Sequence, residues 1–159
     1  MLSNEVNMTF DNIKRNILLI SEGVEYEVTA LSNIAAYIYE NMIDVNWVGF
    51  YILRDGKLIL GPFQGKVACT EIELGHGVCG RSAKADEPIV VPNVHNYGDY
   101  ISCDPETNSE IVFPIYKNGK LYGVLDIDSA TVDRFHGQNN EGLVEVAYGI
   151  SMVLDKTKA

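Results

Sequence analysis

Residues 110–128 constrain the fold more than any other stretch of this chain. Two predominantly apolar runs, 110–116 and 120–128, meet at Asn118-Gly119, the dipeptide most favoured in tight β-hairpin turns. A two-residue type I′ loop would pair Lys117 with Lys120, set Ile111 opposite Asp126, and mix polar with apolar residues on both faces. A three-residue loop with Gly119 as a bulge pairs Tyr116 with Lys120 instead. Ile111, Phe113 and Ile115 then share a face with Leu121, Leu125 and Ile127, and Glu110 falls opposite Asp126 with Asp128 beside it. Because a one-residue slip flips every side chain, the apolar alternation selects this second register.

The register gathers three carboxylates, Glu110, Asp126 and Asp128, at one end of one sheet face. One reading is a solvated acidic strand end. The other is a pocket that binds a cation and holds a proton, since close like charges raise at least one carboxyl pKa and create a general acid. A Ca²⁺ or Mg²⁺ site is less well supported, because the acidic spacing of an EF-hand is missing.

The rest of the chain supplies partners for this hairpin. Phe10, Ile13, Ile17 and Ile20 recur at helical spacing, and a second helix is expected over 25–42 with Leu31, Ile34, Ala35 and Ile38 on one side. The aromatic and β-branched run 47–53 reads as a strand that turns at Asp55-Gly56 into 57–60. A short helix is expected from about Val78 to Ala85, a short strand at 89–91, and a last helix over 138–156. Residues 93–108, rich in Asn, Asp, Gly and Pro, read as a long functional loop. The expected architecture is α+β, an antiparallel sheet covered by helices, with the N- and C-terminal helices on one face. With 159 residues, 47% of them hydrophobic, the chain is long enough for one cored domain over residues 1–159, its core at about 10–155.

Charge and cysteine content narrow the function. A net charge of −10 argues against nucleic-acid and anionic-membrane partners, which need Lys/Arg patches. The first residues lack the basic and apolar regions of a signal peptide, and no apolar run approaches the ~20 residues that span a bilayer, so a cytoplasmic location is expected. Three cysteines do not close a structural disulfide framework and fit reduced or redox-cycling thiols better. Cys69, Cys79 and Cys103 follow neither a CxxC nor a zinc-ribbon spacing; a zinc site joining them to His76 or His95 is conceivable, although these histidines and His136 read better as loop or surface residues. Cys79 either packs a helix start or has its pKa lowered by the helix N-terminus. Cys103 lies in a polar loop, where adjacent Asp104 would raise its pKa unless backbone N–H groups compensate.

Several motifs together resemble the GAF domain, and more narrowly the free methionine-(R)-sulfoxide reductases. They are Asn46-Trp47-Val48-Gly49-Phe50-Tyr51, Gly61-Pro62-Phe63-Gln64-Gly65, Gly77-Val78-Cys79-Gly80, Val91-Pro92-Asn93-Val94 and Gly123-Val124-Leu125-Asp126-Ile127-Asp128-Ser129. The resemblance spans about residues 10–155 and includes all three cysteines. It implies that Cys103 attacks the sulfoxide, that Cys69 resolves the product as a disulfide, and that Cys79 is a third thiol with a less defined part in recycling. Glu110, Asp126 and Asp128 would hold the substrate ammonium and assist protonation, and Trp47 and Tyr51 would line the pocket. It further implies thioredoxin or a similar dithiol as reductant, no bound cofactor, no metal, and a possible homodimer through the terminal helices. The alternative within the same fold is a non-catalytic small-molecule sensor.

Overall fold

A computed structural model describes residues 10–159. In chain order the elements are α1 (Phe10–Ile20), α2 (Glu27–Asn41), β1 (Trp47–Arg54), β2 (Lys57–Gly65), β3 (Glu71–Glu73), α3 (Gly77–Ala85), β4 (Ile89–Val91), β5 (Ser109–Lys117), β6 (Lys120–Ser129) and α4 (Gln138–Leu154). The strands form one six-stranded sheet in the order β3-β2-β1-β6-β5-β4, and every neighbouring pair is antiparallel. This is the α+β architecture expected from the sequence. Strand β3 was not expected: its single inward side chain, Ile72, is too short a signal to read as a strand without its partner Leu58 on β2.

Strand alternation divides the core in two. Val48 and Phe50 of β1, with Ile111, Phe113, Ile115, Leu125 and Ile127, face the apolar stripes of α1, α2 and α4. Trp47, Tyr51, Val112 and Val124 point the other way, toward α3 and the long loop. The helical spacings at Ile13/Ile17, Leu31/Ile34/Ile38 and Leu143/Val146/Ile150 all end fully buried on the first face. Thus α1, α2 and α4 cover one side, and the opposite side is left for a pocket.

The β5–β6 register differs from the one expected. Asn118 and Gly119 have φ of 52° and 76°, a two-residue type I′ turn, and Lys117 pairs with Lys120. The register then shifts between Ile115 and Tyr116, where Tyr122 is the additional residue on β6. Beyond this bulge Glu110 pairs with Asp128, not Asp126, and Val112 pairs with Asp126. The turn adopts the geometry that matches strand twist, and the bulge corrects the faces three residues later. Leu121 therefore leaves the face expected for it and packs on the α3 side, while Tyr122 packs toward the helices.

At the far edge of the hairpin, Lys117 Nζ donates to Glu27 Oε1 and, at 2.8 Å, to the Thr157 carbonyl, while Tyr122 Oη donates to Glu27 Oε2 at 2.9 Å. This network ties α2 and the C-terminal segment to the bulged end of the hairpin. Among the described residues no helix is long and apolar enough to cross a membrane.

Candidate active site

The pocket is built outward from β1. Trp47 and Tyr51 project from its α3-facing side and stack with ring centroids 5.9 Å apart, and Phe63 of β2 stacks on Trp47 at 5.3 Å. Gly49 lies between them; a Cβ there would fall 2.4 Å from the Phe63 Cβ and 2.5 Å from the Trp47 ring, so only glycine lets the three rings close up. Their polar ends hold the next segment in place: Trp47 Nε1 donates to the Lys66 carbonyl at 3.1 Å, and Tyr51 Oη donates to the Cys69 carbonyl at 2.8 Å. The aromatic pair thus positions Cys69 as well as lining the pocket.

Cys69 and Cys103 are joined by a disulfide, with their Cα atoms 5.7 Å apart. Asp104, beside Cys103, is buried but already committed to other partners. It accepts from Asn46 Nδ2 at 3.0 Å and from the Glu106 N–H at 2.9 Å, and Lys66 Nζ lies 3.9 Å away. The aspartate that looked unfavourable in sequence is an anchor for the cysteine loop. Neither Asn46 nor Lys66 was singled out as a site residue from sequence, since nothing local indicates that they converge on residue 104.

Glu110, Asp126 and Asp128 form one wall, exposed by only 6%, 6% and 8%. The solvated strand end is therefore excluded. Burial pushes all three carboxyls well above the ordinary range; the neighbouring carboxylate charge, Asp126 on Glu110, Asp128 on Asp126 and Glu110 on Asp128, pushes in the same direction. One oxygen of Asp126 and one of Asp128 are buried without a hydrogen-bond partner. A wall of acids that hold protons and retain unused acceptors suits a cationic or proton-accepting ligand.

Cys79 is the free thiol. It lies in the first turn of α3, buried, with Sγ within 4.8 Å of carboxylate oxygens of Glu110 and Asp126. The helix N-terminus does not make it a thiolate: burial, then the charges of Asp126 and Glu110, push its pKa well up, and the thiol hydrogen bonds to Asp126. The first N–H of the helix is instead taken by Asp99 Oδ2 at 3.1 Å. His76, His95 and His136 are exposed, and among the described residues none joins a cysteine cluster.

These groups enclose a cleft of about 30 Å³, rimmed by Tyr100 and Ile101 of the long loop and by Val67. Tyr100 was missed in sequence because one tyrosine in an irregular loop has no periodicity to mark it. Trp47, Tyr51, Cys79, Cys103, Glu110, Asp126 and Asp128 all line the cleft; Cys69 reaches it through its bond to Cys103.

Comparison with known proteins gives this geometry a context. The GAF domain family model matches residues 27–154. The free methionine-R-sulfoxide reductase of Escherichia coli is 38% identical over 93% of this chain and 90% of its own length. That of Saccharomyces cerevisiae is 42% identical over 89% of this chain and 85% of its own. The reduced form of the fRMsr of Staphylococcus aureus superposes with a TM-score of 0.88 at 40% identity, covering 93% of this chain and 97% of that one. The chain belongs to the free methionine-R-sulfoxide reductase family of GAF domains.

Proposed function

We propose that this protein reduces free L-methionine (R)-S-oxide to methionine with its own thiols. The observation that carries the reading is the Cys69–Cys103 disulfide at the mouth of a cleft walled by three buried acids and an aromatic stack. A free amino acid brings an α-ammonium, and the orphaned oxygens of Asp126 and Asp128 are acceptors for it. Trp47 and Tyr51 offer an apolar surface for the methyl end. A protonated carboxyl of the same wall donates to the sulfoxide oxygen, which makes the sulfur electrophilic.

Cys103 thiolate attacks that sulfur. Methionine leaves, its sulfur reduced by two electrons, and the oxygen remains on Cys103 as a sulfenic acid. The Cys69 thiol displaces this oxygen as water and forms the disulfide. A dithiol of the thioredoxin class then returns two electrons and two protons, consistent with work in a reducing compartment such as the cytoplasm. A homodimer through the terminal helices is part of the same reading. Substrate reduction belongs to the reduced form, because in the disulfide Cys103 has no thiolate to attack with. Peptide-bound methionine sulfoxide is disfavoured, because its amide brings no charge to the buried carboxylates.

The test is single-turnover chemistry. Cys103→Ser should form no methionine, whereas Cys69→Ser should release about one methionine per enzyme without sustained turnover. Glu110→Gln should lower kcat/KM for the free amino acid about 10- to 100-fold, the range for losing a hydrogen bond to a charged group. Steady-state activity retained in Cys103→Ser would overturn the assignment.

A further inference from the structure

Cys79, the thiol to which the steps proposed above give no role, is the best placed of the three to hold a metal. Cys79 Sγ and one carboxylate oxygen each of Glu110 and Asp126 lie within 4.8 Å of one another, and all three residues are buried. An independent observation points into the same place: Asp126 Oδ1 and Asp128 Oδ1 have no hydrogen-bond partner although both side chains are more than nine-tenths buried. Natural interiors rarely leave carboxylate oxygens in that condition. The cleft, about 30 Å³, has room for an ion with a water.

We propose that the disulfide form binds one divalent cation of the zinc class through Cys79, Glu110 and Asp126. The donor set makes the choice. Once the ion has displaced to solvent the protons that these buried groups hold, one thiolate and two carboxylates are a three-ligand set that leaves a fourth position for water, as in open zinc sites. Sulfur ligation disfavours Mg²⁺ and Ca²⁺, which require six or more oxygens or retained waters. Zinc–ligand bonds of about 2.0–2.3 Å place donor atoms roughly 3.5 Å apart, so binding draws these three donors inward from the 4.8 Å within which they lie. The Asp128 oxygen next to the site is an acceptor for the metal-bound water. Because Cys69 and Cys103 are bonded to each other, this thiol remains available when the other two are not. The binding claim stands apart from the proposed reaction; only its consequence rests on that reading, namely that the ion occupies the carboxylates meant for the substrate ammonium and inhibits.

The experiment uses the full chain in its disulfide form, stripped with a chelator and verified to have one free thiol. Zinc is titrated against a chromophoric chelator, and cobalt(II) is added separately to report thiolate ligation by its sulfur-to-cobalt charge-transfer band. The expected result is one equivalent bound, a charge-transfer band, no displacement by millimolar magnesium, and at least ~100-fold weaker binding in Cys79→Ser and ~10-fold weaker in Asp126→Asn. Absence of stoichiometric binding, a cobalt complex without the sulfur band, or affinity undiminished in Cys79→Ser would each overturn the proposal. The last would show that Cys79 is not a ligand of the bound metal. The cobalt band is read on the unmodified protein, so the test does not depend on a variant folding. Turnover of the metal-free reduced enzyme is scored separately, so failure of the proposed reaction and failure of the metal site are distinguishable.

Discussion

Reducing the Cys69–Cys103 bond should destabilise the protein by an amount that its loop length sets. The bridge spans 34 residues in sequence, and in the chain-entropy treatment closing such a loop removes about 12.6 cal/mol/K from the unfolded ensemble, or about 3.8 kcal/mol at 25 °C. The folded state should change little on reduction, because both ends are held independently. Tyr51 binds the Cys69 carbonyl, and Asn46 with the Glu106 N–H binds Asp104. The difference therefore resides mainly in the unfolded chain. For a domain of this size each kcal/mol moves Tm by about 2–4 °C, so the oxidised protein should melt about 8–15 °C above the reduced one. Thermal melts followed by circular dichroism, with and without a phosphine reductant and with thiols counted beforehand, measure the gap. Cys69→Ser should melt with the reduced wild type and ignore the reductant. Coincident melting of oxidised and reduced wild type, with the bond verified, would refute the reasoning, and so would a more stable reduced form.

Three other outcomes follow from named contacts. Burial raises the pKa of Glu110, Asp126 and Asp128 above that of the unfolded chain, which releases these protons above about pH 4, so the folded state binds more protons and stability falls as pH rises from there until the folded-state carboxyls themselves ionise. Urea midpoints at pH 5 and pH 8 should show this fall, Asp126→Asn should reduce it, and a slope unchanged in that variant would count against the assignment. Glu27→Leu leaves the Lys117 ammonium, among the described residues, with the Thr157 carbonyl as its remaining partner and should cost about 3 kcal/mol, most of it recovered in the Glu27→Leu/Lys117→Met pair; a single-variant loss under about 1 kcal/mol by denaturant unfolding would mean that the ion pair is merely superficial. Gly123→Ala would set a Cβ 2.1 Å from the Tyr51 carbonyl oxygen, so a loss of ~3 kcal/mol or more in thermal or denaturant stability is expected, and wild-type stability would show that β1 and β6 can separate there at little cost.

Much of this protein could be read without its structure, and the limits of that reading have a common cause. Period-two spacing decided which side chains of β5 and β6 share a face beyond the bulge, though not Leu121 on its turn side, and helical spacing decided which sides of α1, α2 and α4 are buried. Alternation, however, determines register only up to steps of two residues. Pairing Glu110 with Asp126 or with Asp128 satisfies it equally, and only the type I′ turn followed by the Tyr122 bulge selects Asp128. Cysteine connectivity likewise does not follow from spacing; the Cys69–Cys103 pairing was implied by family resemblance and is formed by the convergence of two loops on the Trp47–Tyr51 stack. Burial was the larger omission. Whether three acids are a wet strand end or a desolvated wall, and whether Cys79 gains or loses acidity at its helix start, depends on what packs over them. Which groups are acidic and which are thiols is a property of the sequence, but how strongly they hold their protons is decided by the dielectric and the neighbours that the tertiary fold imposes.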